Sequence, residues 1–175
     1  MVEKRIAWAI TGAGHTLEEC AGVLLKQINV DVFLSRAGEE VLRMYGLHGR
    51  IKTPGVRVYR EAEASSPLAG RFSSGAYCVL VVAPATSNSV AKFVHGISDT
   101  LVTNLFAQAG KSRVPVIVYP TDLAPEMNSI GPHQEAVTVY PRPVDLENTM
   151  KLRSFAGVTV VGDREELERC LAIYL

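Results

Sequence analysis

Residues 76–89 read Ala-Tyr-Cys-Val-Leu-Val-Val-Ala-Pro-Ala-Thr-Ser-Asn-Ser, and they join the most apolar run of the chain to a cluster of small polar residues. The run is short and rich in β-branched residues, which predicts a buried strand over Cys78–Ala83. The polar cluster opens a helical pattern over Ser87–Ala109, which Gly96 and Ser98 break into two helices. A buried strand followed directly by helices is typical of a parallel sheet with helices on both faces.

The same alternation of short apolar runs and helical patterns extends in both directions along the chain. The other predicted strands are Arg5–Thr11, Val30–Ser35, Val56–Arg60, Pro115–Tyr119, Ala136–Tyr140 and Val158–Val161. This order predicts an α/β fold in which a doubly wound parallel sheet forms the middle of three α/β/α layers.

Two helices carry start signals in the sequence. The first pattern covers Thr16–Ile28, with its last apolar position at Ile28, and Thr16 with Glu19 three residues later predicts a capping box. Asp163 with Glu166 predicts the same start for a helix at the end of the chain. The Gly- and Pro-containing segments Ala62–Gly75 and Thr121–His133 are the predicted mobile loops.

Composition narrows the classes of function. The chain has 18 Lys and Arg against 18 Asp and Glu, so its formal net charge is zero, which argues against nucleic-acid binding through bulk electrostatics. With 175 residues, 47% of them apolar, a single domain over residues 1–175 is expected. The longest apolar run, Ala76–Ala85, is half of the roughly 20 residues that a membrane span needs. We therefore expect a cytoplasmic protein without membrane association, and the three separated cysteines form no disulfide or metal-binding pattern.

Two strand ends carry loops that suit a phosphate. The loop Thr11–Thr16 has glycines at 12 and 14 before a helix, which favours either a tight turn or an anion site at a helix N-terminus. Position 17 is Leu, so the third glycine of a dinucleotide fingerprint is missing. The next strand ends in Ser35-Arg36, where a NAD site would place an acidic residue. This pair favours a phosphate of a mononucleotide or of NADP, although Ser35 alone is better explained as a helix cap.

The third strand end is the most informative. Four successive polar residues, Thr86–Ser89, follow the predicted strand, whereas a helix cap requires only one. Hydroxyl and amide groups at a helix N-terminus can hydrogen-bond ring heteroatoms and sugar hydroxyls while the helix dipole favours negative charge. The cluster therefore predicts a ligand site.

These motifs carry a family resemblance. Pro84–Ser89 resembles the Pro-Ala-Ser-Ala-Asn-Thr motif of the homo-oligomeric flavin-containing Cys decarboxylase (HFCD) superfamily, and Ala91–Leu101 is similar to its Ala-Lys-Ile-Ala-x-Gly-Ile-Ala-Asp-Asn-Leu continuation. With the glycine loop and Ser35, the match covers roughly Ile6–Val118. It implies a Rossmann-like (flavodoxin-like) domain that binds FMN, and a homo-oligomer built from trimers.

The resemblance also implies which residues bind FMN. Those expected around the phosphate and ribityl chain are Gly12, Ala13, Gly14, His15 and Ser35. Those expected around the ring system are Ala85, Thr86, Ser87, Asn88, Ser89, Ser98 and Asp99.

Departures from the decarboxylases indicate a different branch. Their catalytic His lies in a segment that here reads Pro67–Ala76 without a His, and their substrate clamp is only half present as Pro125–Asn128. Decarboxylation of a cysteine is therefore disfavoured. The chain looks instead like the archaeoflavoproteins and the flavoprotein dihydromethanopterin reductases, which share the Thr-Gly-Ala-Gly-His start at Thr11–His15.

Within that branch the leading hypothesis is an FMN oxidoreductase that takes electrons from a low-potential donor such as ferredoxin. The alternative is an FMN-dependent dihydropterin reductase, for which His15 is the candidate proton donor, although a hydrogen bond to the backbone or to phosphate explains His15 equally well. An NADP-binding module that uses Arg36 for the 2′-phosphate is the non-flavin alternative.

Overall fold

The computed structural model describes residues 4–62 and 70–175. Within them, the chain forms a six-stranded parallel sheet, a two-stranded antiparallel hairpin and six α-helices, followed by a 3₁₀ turn at Ala172–Tyr174. The strands are β1 (Arg5–Ile10), β2 (Val30–Leu34), β3 (Val56–Arg60), β4 (Tyr77–Ala85), β5 (Val116–Pro120), β6 (Met127–Ile130), β7 (Ala136–Val139) and β8 (Val158–Val160). The helices are α1 (Leu17–Leu24), α2 (Arg36–Met44), α3 (Ser87–His95), α4 (Leu101–Lys111), α5 (Pro143–Leu152) and α6 (Arg164–Leu171).

The main sheet has the strand order β3-β2-β1-β4-β5-β8, and every neighbouring pair is parallel. Side chains alternate across it: Ile6, Trp8 and Ile10 of β1 join the core with α1, α2 and α6. The small side chains of Ala7 and Ala9 join the core on the other face, with α3, α4 and α5. The predicted doubly wound, three-layer α/β/α fold is confirmed.

The amino ends of the strands are closed by a buried charge network. The carboxylate of Asp31, which is fully buried, accepts hydrogen bonds from Arg5 at 2.6 Å, from Tyr77 at 2.8 Å and from Arg71 at 3.2 Å. A buried carboxylate with three donors holds this edge together rigidly. The opposite edge, at the carboxyl ends of the strands, carries the clefts.

Several predictions about elements are confirmed. Predicted and observed sheet strands agree within two residues at each end. The stretch Ser87–Ala109 is two helices, because Gly96 ends α3 in the left-handed conformation at φ 70°. Asp163 caps α6 by accepting the backbone N–H of Glu166 at 2.7 Å. No helix among residues 4–62 and 70–175 is long and apolar enough to cross a bilayer.

The first helix starts after Thr16 as predicted, but the predicted capping box and the predicted end are wrong. Thr16 has a left-handed backbone, φ 61°, and makes no side-chain cap, since its hydroxyl accepts the Cys20 thiol instead. The helix ends at Leu24 rather than at Ile28, whose side chain is 70% exposed. Asn29 at φ 56° turns the chain toward β2 before another helical turn can form.

The predicted strand Ala136–Tyr140 exists but lies outside the main sheet. It is β7, and it pairs antiparallel with β6 through the register Met127↔Val139 to Ile130↔Ala136. Only five residues separate the two strands, which suffices for a hairpin but not for the crossover that a parallel strand requires. The predicted loop Thr121–His133 therefore contains a strand. Of the predicted loop Ala62–Gly75, residues 63–69 lie outside the described residues.

Candidate functional site

The candidate site lies where β1 and β4 are neighbours. From β1 the chain runs outward to β2 and β3, and from β4 it runs in the opposite direction to β5 and β8, so the strand order reverses between β1 and β4. In open α/β sheets such a switch point leaves a crevice at the carboxyl ends of the strands. The three loops predicted to bind a ligand all begin at this edge.

Thr11 joins two of these loops. Its buried hydroxyl donates to the carbonyl oxygen of Pro84 at 2.8 Å and accepts the backbone N–H of Thr86 at 2.8 Å. The end of β1 and the start of α3 are thereby held in one position. In the sequence Thr11 is only the first residue of the glycine loop, because a contact between distant segments is not visible there.

The two glycines of the loop are required by its packing on α2. A β-carbon at Gly12 would collide with Ala37, and one at Gly14 would collide with the phenol of Tyr45. Close approach of loop and helix explains both glycines without a ligand. It also brings the Gly12 backbone to the wall of a cleft.

That cleft, here called the first cleft, has a volume of about 510 Å³. It contains five of the predicted cofactor residues: Gly12, Ser35, Thr86, Asn88 and Ser89. The rest of its lining is Thr11, Arg36, Ala37, Glu40, Glu61, Lys92, Thr100 and Val102. Its size lies within the usual range of small-molecule sites.

Two helix N-termini point into the first cleft, each with its own cap. Ser35 accepts the backbone N–H of Gly38 at 2.9 Å, and Thr86 accepts that of Ser89 at 3.3 Å. The cap predicted for Ser35 as an alternative is therefore present. Helix N-termini attract anions, and Lys92 in the same lining adds a positive charge.

The remaining predicted residues lie around or apart from this cleft. Ala85 is buried and its carbonyl accepts the backbone N–H of Thr121 at 3.0 Å, while Ser87 is the half-buried first residue of α3. Ser98 and Asp99 lie in the exposed connection after α3 and line neither cleft described here. Asp99 is held by Lys92 at 2.8 Å, and that ammonium group lowers the pKa of the Asp99 carboxyl.

Glu61 is a cleft residue that sequence reasoning missed. Its carboxylate accepts the backbone N–H of Arg36 at 2.8 Å and that of Leu101 at 3.1 Å, so it bridges the first residues of α2 and α4. The sequence feature that could have indicated Glu61 is its position as an acidic residue directly after β3. Since the carboxylate occupies the N–H group of Arg36, a second anion is disfavoured there.

A second cleft of about 200 Å³ lies on the other side of the glycine loop. It is lined by Gly14, His15, Thr16, Leu17, Glu18, Glu19, Tyr45, Asn128, Ser129 and Ile130. Tyr45 donates to the carbonyl oxygen of Ile130 at 3.0 Å, which attaches the β6–β7 hairpin to α2 over this cleft. Of the predicted cofactor residues, Gly14 and His15 line this second cleft. Ala13, which lies between Gly12 and Gly14 in the chain, is buried.

His15 is the half-buried titratable group of the second cleft. Burial lowers the pKa of its imidazole, and the negative charges of Glu19 and Asp122 oppose that shift. At pH 7 the ring is therefore mainly neutral, with one nitrogen able to donate and the other able to accept a hydrogen bond. A ring in this state can relay a proton between solvent and a ligand.

Comparison with known proteins matches the chain to one family and to a named reductase. A profile of the family described as Flavoprotein matches residues 1–173. The dihydromethanopterin reductase (acceptor) of Methanosarcina mazei is 46% identical over 143 residues, which are 74% of this chain and 60% of that protein. The chain thus spans less than two thirds of this reductase.

Two solved structures also resemble this chain. Burkholderia xenovorans DmrB in complex with FMN, described as a cubic protein cage for redox transfer, is 40% identical with a TM-score of 0.88, covering 98% of this chain and 95% of its own. The FMN-dependent cysteine decarboxylase SpaF has a TM-score of 0.68 at 17% identity, covering 98% and 95%. The second likeness shows a shared fold alone.

Proposed function

The chain belongs to the Flavoprotein family, and from this premise we propose that it binds FMN in the first cleft and uses it to reduce a dihydropterin. The observation that carries the proposal is the first cleft itself, which places hydroxyls, an amide and two helix N-termini at the switch point of the sheet. The reductase and DmrB likenesses support the same cofactor and acceptor.

The donors in the first cleft fit a flavin mononucleotide. The resemblance implies a phosphate beside Ser35, but the Glu61 carboxylate there disfavours a second anion. We therefore place the phosphate at the N-terminus of α3 beside Ser89, because a helix N-terminus stabilises an anion. Asn88 offers both a donor and an acceptor to the heteroatoms of the ring or the ribityl chain. The missing β-carbon of Gly12 lets the loop lie close to α2, and Gly12 forms part of the cleft wall.

In the proposed reaction, bound FMN supplies the two electrons that reduce a C=N bond of the acceptor. The carbon of that bond gains a hydride equivalent and the nitrogen gains one proton. His15 delivers that proton from solvent, since its neutral ring donates at one nitrogen while accepting at the other. The electrons enter from a low-potential donor of the ferredoxin class, in keeping with the description of DmrB as a cage for redox transfer.

We further propose a homo-oligomer built from trimers. A cubic cage, as described for DmrB, contains threefold axes at its corners. In this chain the β6–β7 hairpin carries exposed apolar side chains, with Ile130 59% and Val137 39% exposed, and Tyr140 directly after it is 69% exposed. A two-stranded hairpin is marginal on its own, so burial of these side chains against another subunit would stabilise it.

The other candidate functions have less support. A 2′-phosphate of NADP beside Arg36 would meet the carboxylates of Glu61 and Glu40, which repel it. For cysteine decarboxylation, the chain lacks the catalytic His of the decarboxylases and half of their substrate clamp. The likeness to SpaF concerns the fold alone. A pure electron carrier remains the second candidate, because it needs only the first cleft.

The test is spectroscopic and starts from protein purified without added cofactor. We expect flavin absorbance, loss of the oxidised flavin band on anaerobic titration with reduced ferredoxin, and its return on addition of a dihydropterin. Protein that is colourless and takes up no FMN would refute the proposal. If ferredoxin bleaches the flavin but the pterin does not reoxidise it, the electron-carrier function is the one supported.

A pair of variants tests the placement of the cofactor. Asn88→Ala should weaken FMN binding by roughly tenfold, the scale of one lost hydrogen-bonding side chain. Asn104→Ala is the matched control, since Asn104 is an exposed Asn on α4 outside both cleft linings. Equal FMN affinity for the two variants would place the flavin elsewhere.

A further inference from the structure

We infer that the second cleft binds the ring of the acceptor, and that Glu18 recognises the edge of that ring that carries its 2-amino group and the neighbouring ring N–H. This inference rests on the proposed function, because it takes the acceptor to be a dihydropterin. It assigns a separate site and a specificity residue to that acceptor.

The two clefts differ in charge. In the first cleft Arg36 and Lys92 are balanced by Glu40 and Glu61, and two helix N-termini add partial positive charge. Among the described residues that line the second cleft, the charged ones are Glu18 and Glu19, and none is Lys or Arg. A phosphate-bearing cofactor is therefore drawn to the first cleft and repelled from the second, whereas a neutral ring rich in N–H donors is favoured in the second.

The glycine loop places the clefts side by side. Gly12 lines the first cleft and Gly14 lines the second, and two residues of chain span at most roughly 7 Å. The two clefts therefore share the glycine loop as a common wall. A short separation of this kind is what transfer between cofactor and acceptor requires.

The donors and acceptors of the second cleft match a 2-aminopyrimidinone. The 2-amino group and the adjacent ring N–H of such a ring form two parallel donors, the pattern that a carboxylate accepts in a bidentate pair. Asn128 accepts the Thr138 hydroxyl through Oδ1 at 3.2 Å, which leaves its amide NH₂ to donate to the ring carbonyl. Tyr45 lines the same cleft and supplies an aromatic wall.

Glu18 is the carboxylate that is available for this pair. Glu19 already accepts the Tyr119 hydroxyl at 3.3 Å and lies close enough to His15 to affect its pKa. Across residues 4–62 and 70–175, no hydrogen bond or ion pair engages the Glu18 carboxylate. It is an exposed residue on the first turn of α1, and it faces the cleft with both oxygens uncommitted.

The experiment compares Glu18→Gln with Glu165→Gln in the FMN-loaded protein. Glu165 is the matched control, because it is the second residue of α6 as Glu18 is of α1, and it is equally exposed. The probe is 6-methyl-7,8-dihydropterin, titrated under anaerobic conditions by calorimetry. The second ligand is the corresponding dihydrolumazine, in which oxygen replaces the 2-amino group.

We expect Glu18→Gln to weaken dihydropterin binding by roughly tenfold to a hundredfold, since it removes the charge and turns one acceptor into a donor that faces a donor. Binding of the dihydrolumazine should change by less than threefold, roughly the effect of a lost weak contact. Glu165→Gln should match the wild type with both ligands. Equal FMN content in all three proteins shows that the fold and the first cleft are intact.

Two results would overturn the inference, and they are distinguishable. If the wild type binds the dihydropterin and Glu18→Gln binds it equally well, the ring lies elsewhere, while the proposed reduction stands. If the FMN-loaded wild type does not bind the dihydropterin at all, both the cleft assignment and the proposed acceptor are refuted.

Discussion

Replacing Thr11 by Val tests how the two cofactor loops are held together. The side chains have nearly the same shape, so the change removes the hydroxyl and little else. In the wild type this buried hydroxyl donates to the Pro84 carbonyl and accepts the Thr86 backbone N–H, both at 2.8 Å. Thr11→Val therefore removes two hydrogen bonds that Thr11 makes, one to the end of β4 and one to the residue that caps α3.

The loss of stability depends on which hydrogen bonds the two partners of the hydroxyl still make. The Pro84 carbonyl still accepts the backbone N–H of Thr11 at 3.2 Å, so it keeps one of its two hydrogen bonds to Thr11. The Thr86 N–H loses the partner that the structure shows for it, and because Thr86 is only half-buried at the cleft wall, the cost lies at the low end, about 1 kcal/mol. Adding about 1 kcal/mol for the other hydrogen bond, we expect Thr11→Val to lower the free energy of unfolding by about 2 kcal/mol.

The assay is urea denaturation of the apoprotein at one fixed protein concentration, because assembly would make the apparent stability depend on concentration. Thr11→Ser keeps the hydroxyl and should cost only about 1 kcal/mol for the lost methyl group. FMN affinity should fall in Thr11→Val and stay near wild type in Thr11→Ser. If Thr11→Val were within about 0.5 kcal/mol of the wild type, the hydroxyl would not hold these loops.

Three further predictions follow from the same structure. Gly14→Ala should destabilise the fold by about 1–3 kcal/mol in urea denaturation, because the new methyl group meets Tyr45, whereas Gly22→Ala, with nothing within 4 Å, should stabilise it by about 0.5–1 kcal/mol. Burial lowers the pKa of His15 in the folded state. The stability that the neutral His15 ring contributes is therefore present above pH 6.5 and is lost as the pH falls through the folded pKa. The urea midpoint of the wild type should drop over that pH window, and the midpoint of His15→Gln should drop less. Burial raises the pKa of Cys20 to about 12, so alkylation of native protein at pH 8, followed by mass spectrometry, should modify the other two cysteines first, and early modification of Cys20 would contradict its burial.

Much of the fold follows from local patterns. The strands alternate with helices along the chain, and their β-branched runs identify them without reference to distant residues. Gly96 between two helical patterns is enough to predict the break between α3 and α4, because a left-handed residue there ends a helix. Asp163 with Glu166 predicts the cap of α6 for the same reason, since a cap involves only neighbours in the chain.

Local patterns failed where tertiary contacts compete with them. Thr16 has the right spacing for a capping box, yet the glycine loop packs on α2 and leaves Thr16 with a left-handed backbone that cannot cap α1. The strand at Ala136–Val139 reads like the other strands, and only the pairing partner that it finds in β6 decides that it forms a hairpin.

The sequence by itself determined the class of the protein: a parallel α/β sheet, a polar loop at each of three strand ends, and the motif at Pro84–Ser89 that indicates a flavin. Each of these depends on residues that are adjacent in the chain. The tertiary structure alone decided how the site is divided. Glu61 reaches the first residues of two helices, and Tyr45 carries the hairpin over Glu18, through contacts between segments 25 to 85 residues apart. Such contacts arise only when the sheet brings the ends of its strands together at one edge.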